Sequence, residues 1–144
     1  MGDIEVIVKK LIKKYNTSNP FELASCLNVL IFETNLNNTL GMYKYINKNK
    51  AIFINNKLTD EVKKFVLAHE IGHAVLHTKN NCFYLKHNTF IKTNYFEIEA
   101  NKFAAALLIP DEDLNSCIEN NFTIEQTASY FQVPVELVKY KLNK

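Results

Sequence analysis

The residues whose types and spacing could do chemistry are His69-Glu70-Ile71-Gly72-His73, two imidazoles four positions apart with a carboxylate directly after the first. Their segment has a helical period, since Val62, Phe65, Val66, His69, Gly72, His73 and Leu76 recur at three- and four-residue steps. Thr59 supplies a capping side chain, and Asp60 and Glu61 sit in the first turn, where the helix dipole favours them. Four residues is slightly more than one turn, so both imidazoles project from one face and can hold one ion together. Glu70 is rotated by about 100° from His69, a placement that suits a general base acting on a water beside the ion better than it suits a ligand. Neutral imidazole nitrogens favour zinc, although two histidines and a carboxylate also suit iron or manganese. Zinc with three protein ligands and an open position activates water near neutral pH and polarises a carbonyl, which together permit amide hydrolysis.

A third ligand is required, and the next helical segment, Tyr95 to Ile109, carries Glu97 and Glu99. Two residues differ by about 200° around a helix, so they cannot both face the ion. Glu97 lies within a turn of Ala100 and shares the apolar side with Ala104, whereas Glu99 falls nearer the solvent side. Glu97 is therefore the expected ligand, and Asn101, at i+4 on the same face, the expected group that orients a neighbouring ligand. His77 continues the ladder beyond His73, but an eight-residue span separates its backbone from His69 by about 12 Å, too far for one ion. It reads instead as a helix C-terminal residue favourable to the dipole. His87, Tyr84 and Tyr95 are candidates for stabilising an oxyanion, and the spacing does not rank them.

Around this centre, Asp3 precedes an amphipathic stripe of Ile4, Ile7, Val8, Leu11 and Ile12, and Asn19-Pro20-Phe21-Glu22 opens a short second helix. Val29 to Phe32, Leu40 to Ile46 and Ala51 to Ile54 are extended runs, with a hairpin turn over Asn47 to Lys50, so a small antiparallel sheet is expected. Lys79 to Asn94 is polar and reads as a long loop, with or without a short strand, bordering the site. Beyond Pro110 come short helices at Asp111, at the Thr123-Gln126 capping box, and after Pro134.

A chain of 144 residues with 47% hydrophobic and 22% charged residues has the size and balance of one α+β domain, with a core over about 20–114 and a helical tail over about 115–144. A formal charge of +2 is too small to argue for nucleic acid, and Lys139, Lys141 and Lys144 give the helix-turn-helix-like tail thin support for reading DNA. Packing or docking of a protein is the expected role of the tail. Cys26, Cys82 and Cys117 are odd in number and form no paired motif, which points to a reducing compartment. No apolar run reaches membrane-spanning length, and Asp3, Glu5, Lys9 and Lys10 interrupt any secretory core, so a cytoplasmic location is expected.

The segments FVLAHEIGHAVLH at Phe65 to His77 and EIEANKFAAALLIP at Glu97 to Pro110 resemble the ImmA/IrrE family of zinc metallopeptidases, and the similarity extends upstream through AIFINN to the helix at Pro20. The resemblance implies a zincin-like fold, with His69, His73 and Glu97 as zinc ligands and Glu70 as the catalytic acid and base. It also implies a protein substrate: family members cleave helix-turn-helix repressors, and a short chain is similar to the anti-repressors of phages and mobile elements. The alternative is a metal-stabilised binding module that sequesters a repressor without cutting it.

Overall fold

The computed structural model describes residues 2–80, 83–86 and 94–143. Among these, helix α1 (Gly2–Tyr15) and helix α2 (Pro20–Cys26) precede strands β1 (Leu30–Thr34), β2 (Thr39–Ile46) and β3 (Asn49–Asn55). The long helix α3 (Asp60–Leu76), strand β4 (Phe83–Lys86) and helix α4 (Tyr95–Leu108) follow, and α5 (Asp111–Glu119), α6 (Ile124–Phe131) and α7 (Val135–Leu142) complete the chain. The α+β class follows from this order, with the strands gathered in one sheet that packs against α3. The strand β4 is a short strand within the span read as a long loop with or without one; His87, Phe90 and Cys82 of that span lie outside the described residues.

The sheet is mixed rather than antiparallel throughout. Its order is β1-β3-β2-β4, with β2 antiparallel to both neighbours and β1 parallel to β3. The β2–β3 hairpin turns through Asn47 and Lys48, both at positive φ, the two-residue geometry that matches strand twist. Between β1 and β2 there is no such turn. The intervening residues cross the end of β3, where the Asn55 side chain donates to the carbonyls of Asn37 (2.9 Å) and Thr39 (3.1 Å) and pins the crossing. Periodicity finds the strands but is blind to which of them become neighbours.

The inner face of the sheet puts Tyr43, Ile52 and Ile54 into a core shared with Val66, Leu67 and Ile71 of α3 and Phe103 and Leu107 of α4, all essentially inaccessible. Two glycines set how closely the layers approach. A Cβ on Gly41 of β2 would stand 2.5 Å from Val66 Cγ1 and 3.5 Å from Glu70 Oε2. A Cβ on Gly72 of α3 would stand 3.0 Å from Phe103 Cβ and 3.1 Å from Ala100 Cα. The second contact is with backbone, which cannot swing aside. Overpacking costs about 1–3 kcal/mol, against roughly 1 kcal/mol gained by replacing a mid-helix glycine with alanine. We expect Gly72→Ala to be net destabilising, lowering the urea midpoint, and to weaken metal binding as α4 is pushed away from α3; an unchanged midpoint would contradict the close approach.

Tyr43 also ties β2 to the end of α3, since its hydroxyl donates to the Thr78 carbonyl. Burial, aided by the neighbouring Tyr45, pushes its phenol up to about 12 from 10.0. An unfolded chain ionises this phenol near pH 10, whereas the folded chain keeps its proton until about 12. The stabilisation is therefore fully present below pH 10 and is lost as pH rises through 12. Urea titrations between pH 9 and 11.5 should show wild type losing stability more steeply than Tyr43→Phe.

At the far side, α7 packs on α4 and α6. Lys141 is buried there, with its Nζ 3.0 Å from Glu5 Oε1 of α1 and 2.6 Å from Asp111 Oδ1 of α5. This cation joins three helices, and it is thereby withdrawn from the small basic set that the tail could offer to a phosphate backbone.

Candidate metal centre

Helix α3 carries His69, Glu70 and His73 on its buried side because the apolar stripe that packs against the sheet and α4 runs through them. Helix α4 begins at a capped turn, where Asn94 Oδ1 accepts from the N–H groups of Phe96 (2.9 Å) and Glu97 (3.4 Å). That cap sets Glu97 in the first turn, opposite the two imidazoles. A single oxygen, Glu97 Oε2, lies 3.1 Å from His69 Nε2 and 3.0 Å from His73 Nε2. Ligand atoms of these three residues all lie within 4.8 Å of one another.

The opposite ring nitrogens are occupied. Asn101 Oδ1 lies 2.8 Å from His69 Nδ1 and accepts its proton, which leaves Nε2 with a lone pair in the neutral ring. His73 Nδ1 lies 2.9 Å from His77 Nδ1, and His77 Nε2 lies 2.8 Å from Glu99 Oε1. Asn101 and Glu97 thus come to the two sides of His69, and Glu99 lies away from the centre against His77. His77 meets His73 on the ring nitrogen facing away from Glu97, so it is placed behind a candidate ligand and not beside the ion.

Protonation states fit a cation. Burial drives His73 down to about 4, its effect only partly offset by the Glu97 hydrogen bond. For Glu97 burial acts upward, but the hydrogen bonds and charges of His69 and His73 outweigh it and hold the carboxyl at about 2. Burial thus favours the neutral ring of His73 while Glu97 stays ionised, and a neutral imidazole and a carboxylate are forms that ligate a divalent ion. Donors on a tetrahedral ion with bonds near 2.0–2.1 Å stand about 3.3 Å apart, close to the separations found here.

Glu70 is different in kind. Both its carboxylate oxygens are buried with no hydrogen-bond partner among the described residues. Burial first, and then the Glu97 charge, raise its pKa well above the ordinary carboxylate value. A buried carboxyl without a partner is costly, and such groups are enriched at functional sites. The room beside it comes from Gly41, whose missing side chain leaves β2 close to Glu70.

Of the oxyanion candidates, Tyr95 is exposed and hydrogen-bonds to Glu99, Tyr84 lies on β4 opposite Met42, and His87 is outside the described residues. Sequence reasoning missed the side chain of His77: it does cap α3, with its N–H 2.8 Å from the His73 carbonyl, but its ring is buried and bonded at both nitrogens. The available signal was its place at i+4 from His73, with Glu99 two residues from the chosen ligand.

The sequence has counterparts among known proteins. The chain is 29% identical over 139 residues to metallopeptidase ImmA of Bacillus subtilis (strain 168), covering 95% of this chain and 82% of that protein. It is 42% identical over 139 residues to an uncharacterized immunity region protein 2 of Bacillus phage phi105, covering 96% and 88%. The family model described as the IrrE N-terminal-like domain matches residues 24–143, a span that includes both histidines, Glu70 and Glu97. The chain therefore belongs to the IrrE N-terminal-like family of metallopeptidases.

Proposed function

We propose that this chain is a zinc-dependent endopeptidase that cleaves a helix-turn-helix transcriptional repressor in the cytoplasm, as one peptidase domain with a helical tail. The observation that carries the reading is the convergence of His69 Nε2 and His73 Nε2 on one Glu97 oxygen, beside a buried Glu70 that has no hydrogen-bond partner among the described residues. Zinc, held by His69, His73 and Glu97, would polarise the scissile carbonyl and acidify a water. Glu70 takes a proton from the attacking water and delivers it to the departing amine, so that its raised affinity for protons matches both halves of the task. Asn101 keeps the His69 ring in the tautomer that presents Nε2. Support for the repressor as substrate comes from the phage relative, whose name places it in an immunity region, and from the similarity to ImmA.

The test is to incubate the purified full chain, zinc-loaded, with the helix-turn-helix repressor encoded beside it, and to follow the products by mass spectrometry. Defined repressor fragments that disappear with Glu70→Gln support the peptidase. An intact repressor held in a stable complex by both proteins would instead establish sequestration.

A further inference from the structure

When a cation takes the Nε2 side of His73, the hydrogen-bond set behind the ring runs in one direction. Glu99 is an acceptor only, and its Oε1 lies 2.8 Å from His77 Nε2, so His77 donates there. A neutral His77 then carries its lone pair on Nδ1. That atom is 2.9 Å from His73 Nδ1, and two lone pairs cannot face each other at this distance, so His73 donates from Nδ1. With a cation seated between them, the His73 lone pair is then on Nε2, the nitrogen that stands 3.0 Å from Glu97 Oε2 on the side of the candidate site. The parts are braced: the Phe96 ring meets His77 edge-on at 4.8 Å between centroids, Tyr95 hydrogen-bonds to Glu99, and the His77 backbone closes α3 onto the His73 carbonyl.

We propose that His77 and Glu99 are positioning residues that hold His73 in the ligating tautomer, the counterpart for His73 of what Asn101 does for His69. The inference rests on the metal-site reading above. Each ligand ring is then oriented by a different device, an amide from α4 on one side and an imidazole–carboxylate relay joining α3 to α4 on the other. Groups that orient ligating histidines typically account for 10–100-fold in metal affinity.

The test is zinc affinity of the full chain at pH 8, by competition with a chromophoric chelator, together with the melting temperature of the metal-free protein. His77→Phe keeps the ring volume against Phe96 but removes the acceptor, and should weaken zinc binding by about 10–100-fold. His77→Asn keeps an acceptor near the Nδ1 position and should recover most of that loss, a rescue that packing alone would not produce. Glu99→Ala, at a partly exposed position, should weaken binding by about tenfold and carries the test if His77→Phe does not fold. Zinc affinities of His77→Phe and Glu99→Ala equal to wild type, or an Asn variant as weak as the Phe variant at similar metal-free stability, would overturn the relay. Failure of the wild-type chain to bind zinc at all would instead remove the metal-site reading, and the relay with it.

Discussion

Glu70→Gln should abolish measurable peptide hydrolysis while leaving zinc stoichiometry unchanged. An amide cannot take a proton from water or return one to a leaving amine, and general acid–base groups contribute about 10²–10⁴-fold; kcat should carry the loss, since the group acts on the reacting atoms and not on substrate binding. The same substitution should stabilise the metal-free fold at neutral pH. Glu70 is fully buried with neither oxygen satisfied among the described residues, and its folded pKa lies well above the unfolded one. A raised carboxyl contributes stability that is complete below the unfolded value of 4.5 and disappears as pH climbs through the folded value. Wild type should therefore lose ground to the Gln variant on going from pH 4.5 to 8, read as a growing difference in melting temperature. Equal hydrolysis by the two proteins would remove Glu70 from the mechanism, and a constant difference in melting temperature would mean that its carboxyl is solvated.

A gain in stability with loss of turnover is the signature of a site that holds an unfavourable group for use. The same logic explains which parts of the centre were legible in the sequence. His69, Glu70 and His73 belong to one helix, whose pitch alone determines their relative directions, and the structure keeps that arrangement. Glu97 and Asn101 were separable from Glu99 because the apolar stripe of α4 must face α3, and the buried side of α4 does contain Glu97, Asn101 and Ala104. What a single helix could not disclose was the pairing of groups across helices. His77 looked like a terminal residue because its partner, Glu99, sits on another element at a distance only tertiary packing determines. The position of β1 escaped for the same reason: the pattern of Leu30 to Thr34 is that of a strand, but its parallel seat beside β3 depends on a crossing held by Asn55. Local period and capping are written in neighbouring residues, whereas strand order and ring tautomers are written in contacts between distant ones.

The choice between the two glutamates of α4 yields the second large effect. Glu97→Ala should remove one of three protein ligands, and the loss in zinc affinity should exceed the 10–100-fold expected for a group that only orients a ligand. At micromolar protein, the dialysed variant should retain far less than one equivalent of zinc by elemental analysis, whereas Glu99→Ala should still retain close to one. Stability gives an independent reading. A ligand that binds only the folded state at a hundred times its Kd adds about 2.7 kcal/mol, so wild type and Glu99→Ala should melt higher when saturated with zinc, and Glu97→Ala should hardly respond. Chelation should return wild type to the metal-free melting temperature. The size of the contrast follows from the placement of one atom: Glu97 Oε2 stands 3.0–3.1 Å from both Nε2 atoms, while Glu99 reaches the centre only through two imidazole rings. Retention of a full equivalent by Glu97→Ala together with its loss in Glu99→Ala would require α4 to rotate about its axis, bringing Glu99 to the histidines and Asn101 away from His69.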